Sequence, residues 1–297
     1  MVSREIEESI IENPQAPLVR EGGDPEGAGG SIRRCAMQSN EEFGYPEYGE
    51  NGVMRLCDDK SDMLMNITVY RLDSGDVLPL KKPGEEMAIV LVEGRCKFEW
   101  QSSTLHAHRP SCINDPAYCL HVPRGVEVTI IALGPSEILV QSTENQKIFE
   151  PQVYTPDNTR RDTFGQGQFE GKAVRTVTTF FDYESAPYSN MVCGEILIPQ
   201  GGWSSYPPHE HPQPEVYYYR FGHPAGFGAC FIDDTAACGG RAYMIKDRSF
   251  AAIPGGKYHP QVNAPGYPMM YVWMIRHFDG YPWTERNFKA EHEWLLG

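Results

Sequence analysis

The sequence predicts an all-β protein made of two antiparallel sandwich or barrel domains in series. Short apolar and β-branched runs recur along the chain with turn residues between them, and almost no segment carries a helical 3.6-residue period. The two halves of the chain also repeat one skeleton, a strand closed by glycine and followed later by a Pro-x-Gly turn.

Residues 1–42 contain EGGDPEGAGG, poor in apolar side chains and rich in Gly, Pro and Glu, and are expected to form a flexible acidic extension. Residues 43–150 carry the runs MLMNITVYRL, EMAIVLVEG, EVTIIAL and EILVQST, the strands of a first domain. The stretch 151–172, PQVYTPDNTRRDTFGQGQFEGK, is polar and turn-rich and reads as the linker. Residues 173–297 hold AVRTVTTFF, MVCGEILIP, EVYYYRF, ACFID and MMYVWMI, the strands of a second domain. In the second half Glu215 precedes Gly222 by seven residues, and a later PGGKYH ends at His259. In the first half Met87 precedes Gly94 by the same interval, and PRGVEV ends at Val128. The first domain is therefore expected to lack the polar groups that the second one gathers.

Bulk properties narrow the function. Charged residues make up 22% and hydrophobic ones 40%, ordinary for a globular protein, and no apolar run approaches the 18 or so residues of a membrane helix. The start MVSREIEESIIENPQ lacks the basic-then-apolar layout of a secretion signal, so a cytoplasmic location is expected. Eight cysteines spread over 297 residues, without a C-x-x-C pair, read as reduced thiols. A net charge of −14 argues against nucleic acid as a partner, and an anionic substrate would need local positive charge for capture. A homo-oligomer is compatible with all of this.

The chemistry concentrates in GWSSYPPHEHPQPE. On a strand alternate residues share a face, so His209 and His211 point the same way and Glu210 points away. Two imidazoles and the nearby Glu215 carboxylate suit one divalent ion such as Zn, Mn, Fe or Ni. His259, just after a tight glycine turn, is the candidate fourth ligand. By strand parity Tyr217 and Tyr219 share the face of Glu215, whereas Tyr218 faces the other way.

These runs match two motifs of the cupins. The first is H-x-H, a short gap, E, six residues, G, here His209, His211, Glu215 and Gly222; the second is P-x-G, two residues, H, three residues, N, here Pro254, Gly256, His259 and Asn263. A lone histidine is usually a packed side chain, but two motifs in order and at family spacing identify a resemblance. It implies a bicupin, two antiparallel β-sandwich/barrel (jelly-roll) domains, with the metal in the second.

A closer resemblance lies in WSSYPPHEH, EVYYYRF, GFG, YHP, APGY and the ending PW…HEW. These resemble 5-deoxy-glucuronate isomerases of inositol catabolism, well over 173–297 and thinly before it. The resemblance implies an aldose–ketose isomerase of carbohydrate metabolism acting on an acidic sugar, with His209, His211, Glu215 and His259 as metal ligands. The chain departs from that family in its short Pro212-Gln213-Pro214 connection, in Lys257 before Tyr258, and in MIRHF after the last strand. The added cations make sulfoquinovose, whose C6 sulfonate is fully ionised, a close competitor as substrate.

Moving a proton between C1 and C2 needs a Lewis acid for the developing charge and a group that carries the proton. Glu215, Tyr217 and Tyr219 are the candidate carriers, with Lys257 a further alternative. Lys257, Arg175, Arg220 and Gln261 are the candidate substrate-binding residues, with Arg276 another possible anion partner. Two other classes share the ligand set: a metal-dependent cupin oxygenase and a non-catalytic sugar-binding cupin.

Overall fold

A computed structural model describes residues 42–49, 52–234 and 240–296. The acidic extension expected over 1–42 lies outside these residues except for its last position. Each apolar run forms a strand, and helical structure among the described residues is confined to the short 3-10 segments Phe169–Gly171 and Ala290–Leu296. No helix among them is long and apolar enough to cross a membrane.

The first-half sheet runs, in order, Gln152–Tyr154, Tyr118–Val122, Glu85–Trp100, Ser136–Glu144, Asn66–Leu72 and Val53–Cys57. Glu85–Trp100 is long enough to serve both walls of its barrel. Its first part pairs with Tyr118–Val122 and Ser136–Glu144, and its second with Ser103–Arg109 and Glu127–Ala132. The changeover falls at Gly94, whose φ of 121° is open to glycine, and a Cβ there would meet the Pro135 carbonyl oxygen at 2.5 Å.

The second-half sheet runs Glu42–Gly44, Phe250–Ile253, Glu215–Phe221, Met269–Arg276, Met191–Ile198, Arg175–Phe181 and Arg160–Phe164. The opposite wall joins Trp203–Ser204, Gln261–Asn263, Phe227–Asp234 and Arg241–Lys246. The start of the described chain thus borders the second domain's sheet. The 151–172 stretch gives one strand to each half: Gln152–Tyr154 pairs with Tyr118–Val122, and Arg160–Phe164 with Arg175–Phe181.

Strand parity sorts the cores. Glu215–Phe221 is buried at every position. Tyr217, Tyr219 and Phe221 pack inside the second barrel with Tyr271 and Trp273. Val216 and Tyr218 instead join Met65, Val90, Leu139, Met270 and Val272 in a core shared between the halves. Met87, Ile89 and Leu91 line the first barrel with Val128 and Ile130.

Between the halves lies a buried charge network. Glu137 of the first half accepts hydrogen bonds from Tyr218 (2.9 Å) and Tyr48 (2.9 Å), and pairs with Arg220 (2.6 Å) and Arg248 (2.9 Å). Burial raises the Glu137 carboxyl, but the guanidinium charges of Arg220 and Arg248 more than offset this and hold it below the usual range. A second joint is Glu86, which accepts from Ser189 (3.0 Å) and the Asn190 amide (2.7 Å) and lies 2.9 Å from His121 Nε2.

Candidate active site

His209 and His211 leave the barrel wall on a loop that is pinned on two sides. His209–Glu210 pairs with the C-terminal strand Asn287–Phe288, and the Lys289 amide donates to the Pro208 carbonyl at 3.0 Å. On the other side the Pro-Gly-Gly turn of the second motif is pressed against the first. A Cβ on Gly255 would lie 1.7 Å from the Pro212 carbonyl oxygen, Gly256 has a φ of 75°, and its amide donates to the His211 carbonyl at 2.8 Å. Asn263, the last residue of that motif, accepts from the Gly202 amide (2.7 Å) and donates to the Pro199 (3.0 Å) and Tyr267 (2.6 Å) carbonyls. Its role is to tie loops together.

Each histidine ring is set by a backbone carbonyl. Nδ1 of His209 lies 3.0 Å from the Pro207 oxygen, that of His211 3.0 Å from Gln213, and that of His259 2.7 Å from Lys257. A carbonyl only accepts, so each Nδ1 carries the hydrogen, which leaves Nε2 as the atom each ring can offer a metal ion. His211 Nε2 lies 3.0 Å from Glu215 Oε2, and His259 Nε2 lies 3.2 Å from the same oxygen, out of line for a hydrogen bond. Two imidazole nitrogens and a carboxylate oxygen thus face one another in a buried pocket, and outer-sphere carbonyls holding Nδ1–H are the usual support of metal-binding imidazoles.

Among the described residues, His211, Glu215 and His259 form the group of three donors close enough to share one ion. His209 is not one of these three, though its ring lies 5.4 Å from that of His259. At the matching positions of the first half, Met87 and Val128 sit in apolar packing. Burial raises the Glu215 carboxyl, but the adjacent His211 and His259 imidazoles outweigh it, so the group stays ionised. Burial, with the Glu215 charge, drives the Tyr217 phenol well up, and it stays protonated.

The cavity above this group has a volume of about 130 Å³. His209, His211, Glu215, Tyr217, Arg175, Trp273, Trp283 and Arg286 help line it. Tyr219 does not; its hydroxyl donates to Gln261 Oε1 at 2.6 Å, while Gln261 donates to the His259 carbonyl at 2.6 Å. That pair braces the His259 strand from behind, and the catalytic role expected for Tyr219 and the substrate role expected for Gln261 are corrected to support. Arg220 is corrected as well. Its parity is opposite to that of Glu215, and it is spent on Glu137 and Asp247 between the halves. Lys257 is half-buried in register with Asp234 and outside the cavity lining. Arg276 bonds Thr143 and the His277 carbonyl, also away from the cavity.

Sequence reasoning missed the contribution of the C-terminal segment. The Trp283 ring meets His211 edge-on at 5.9 Å, its amide donates to His277 Nδ1 at 2.9 Å, and Gln213 donates to the Tyr281 carbonyl at 3.0 Å. The PW…HEW ending was visible as a family feature, but nothing local shows that it returns to the metal loop.

Residues 45–295 match the model of the KduI/IolB family. A 5-deoxy-glucuronate isomerase of Geobacillus thermodenitrificans is 25% identical over 264 residues, 83% of this chain and 92% of the relative. An IolB-like protein of Salmonella typhimurium LT2 superposes with a TM-score of 0.77 at 20% identity, over 86% of this chain and 99% of that one. Oxalate decarboxylase of Lactobacillus farciminis gives 0.58 at 12% identity, over 82% and 85% of the two chains. The last two likenesses bear on the fold, which is the bicupin expected from the motifs.

Proposed function

The chain belongs to the KduI/IolB family, and on that premise we propose that it is a metal-dependent isomerase interconverting the aldose and ketose forms of 5-deoxy-glucuronate. The observation that carries this reading is the convergence of the His211 and His259 Nε2 atoms on Glu215 at the floor of a cavity. His211, Glu215 and His259, with His209 beside them, would hold one divalent ion, Zn, Mn, Fe or Ni being compatible with the donor set. When bound, the ion supplies positive charge against the negative charge that develops on the sugar oxygens.

The conversion leaves composition unchanged. The C2 hydrogen leaves as a proton and returns at C1 through an enediol, while the O2 proton is lost and O1 gains one. Glu215, kept ionised, is the acceptor nearest the cavity floor. Tyr217, kept as a phenol, donates toward an oxygen that becomes negative. Trp273 and Trp283 add apolar wall to the cavity. Sulfoquinovose remains a competitor for the substrate, but its support from added cations weakens because Lys257 and Arg276 lie outside the cavity lining.

The test is an NMR time course under argon, with metal-loaded protein and 5-deoxy-glucuronate, sulfoquinovose and glucose in parallel. The proposal expects the ketose from 5-deoxy-glucuronate first. Turnover that requires and consumes O₂ would instead establish an oxygenase, and binding without conversion a sugar-binding cupin.

A further inference from the structure

Three guanidinium groups reach the cavity, those of Arg160, Arg175 and Arg286, and their surroundings differ. Arg160 is already paired, 2.7 Å from Asp182 and 3.5 Å from Asp162. Arg175 donates only to neutral partners, the Ala173 (2.9 Å) and Tyr206 (3.1 Å) carbonyls, and lies 5.6 Å over the Phe164 ring. Those two bonds leave three of its five N–H groups unspent. Arg286 forms no ion pair with any described residue, although it stands two places from Phe288, the strand partner of His209. Burial lowers the Arg175 pKa, and the nearby charge of Arg286 pushes it the same way. The carboxylates that line the cavity are already engaged, Asp162 and Asp182 by Arg160 and Glu215 by His211 and His259, so Arg175 and the exposed Arg286 are left as two like charges suited to an anion.

Trp273 and Trp283 also line the cavity with their rings, and their indole nitrogens are fully buried. Arg175 and Arg286 also line an adjoining groove together with Phe164, Phe169 and Tyr206, so they mark the end of the site away from Glu215.

We propose that Arg175 and Arg286 form the subsite for the terminal carboxylate of an acidic aldose, with Arg286, carried by the C-terminal segment, determining specificity. This rests on the isomerase reading for what the bound sugar undergoes, though not for the binding of the anion. Two planar forks suit a carboxylate, which each can engage through paired N–H donors.

The experiment uses Arg286→Ala and Arg286→Lys in the metal-loaded full chain, because Arg286 is exposed and forms no ion pair with a described residue. Arg175→Lys is the second variant. Rates are measured on 5-deoxy-glucuronate and on its neutral counterpart with a hydroxymethyl in place of the carboxylate. Calorimetry follows binding of the acid's alditol, which cannot isomerise. Arg286→Ala should raise KM for the acid about ten- to a hundredfold with kcat and metal content nearly unchanged, leave the neutral sugar unaffected, and weaken alditol binding equally. Arg286→Lys should recover part of the loss. An unchanged KM and alditol affinity in Arg286→Ala, or equal losses on acid and neutral sugar, would overturn the subsite while leaving the isomerase reading intact. Arg286-dependent alditol binding by a protein that converts no aldose would uphold the subsite and remove the isomerase reading. Tighter Arg286-dependent binding of sulfoquinovose than of the carboxylate sugar would overturn the carboxylate assignment.

Discussion

Tyr217 and Tyr219 stand two residues apart on one face of one strand, yet only Tyr217 opens on the cavity. The next residue on that face has turned its hydroxyl to Gln261, and the difference decides which can move a proton. Tyr217→Phe removes one oxygen and is expected to lower kcat roughly a hundredfold, with metal content unchanged and KM within a few fold. Steady-state rates beside elemental analysis check this; full activity would remove Tyr217 from the chemistry. At this scale parity was readable in the sequence. It placed Tyr217 with Glu215 and Tyr218 away from it, and applied to Arg220 it would have excluded that residue too. What parity does not give is depth along the strand, which separates Tyr217 from Tyr219.

The elements that hold the His209–Glu215 loop make long-range contacts. The H-x-H pair, Glu215 and His259 were legible because family spacing fixes them. The backbone packing between Pro212 and Gly255 joins residues 43 apart in sequence, and the pairing of His209 with Phe288 joins residues 79 apart. Neither contact leaves a local pattern, so the C-terminal wall of the site stayed hidden. Gly255→Ala would force a methyl into the Pro212 carbonyl and spread the two motif loops. It is expected to weaken metal affinity at least about tenfold, the scale of lost outer-sphere support, and to lower the unfolding midpoint. Isothermal titration with Zn or Mn reads the affinity; wild-type affinity would show that the loops need no such contact.

Across the whole molecule, the two halves are joined by a shared apolar core and by Glu137. The strand pattern announced two β-domains, but not that a carboxylate of the first would neutralise Arg220 and Arg248 of the second. Glu137→Gln leaves those guanidinium groups without their buried partner and is expected to cost about 3–5 kcal/mol in denaturant unfolding. The sign of the pH effect follows from a carboxyl held below its ordinary range. Its contribution is present above that range and is lost as pH falls through the lower folded-state value, so the wild type should lose stability on acidification below about pH 4. Glu137→Gln should flatten that part of the profile; an identical acid limb in both proteins would assign the loss to other carboxylates.

The most direct measurement compares protein stripped by a chelator with the same protein reconstituted with one equivalent of a divalent ion, following 5-deoxy-glucuronate by NMR without O₂. A metal-dependent isomerase gives no ketose when stripped and regains conversion at one ion per chain, a gain that should vanish in His259→Ala. Equal conversion in stripped and reconstituted protein, or restored conversion in His259→Ala, would contradict a metal centre at His211, Glu215 and His259.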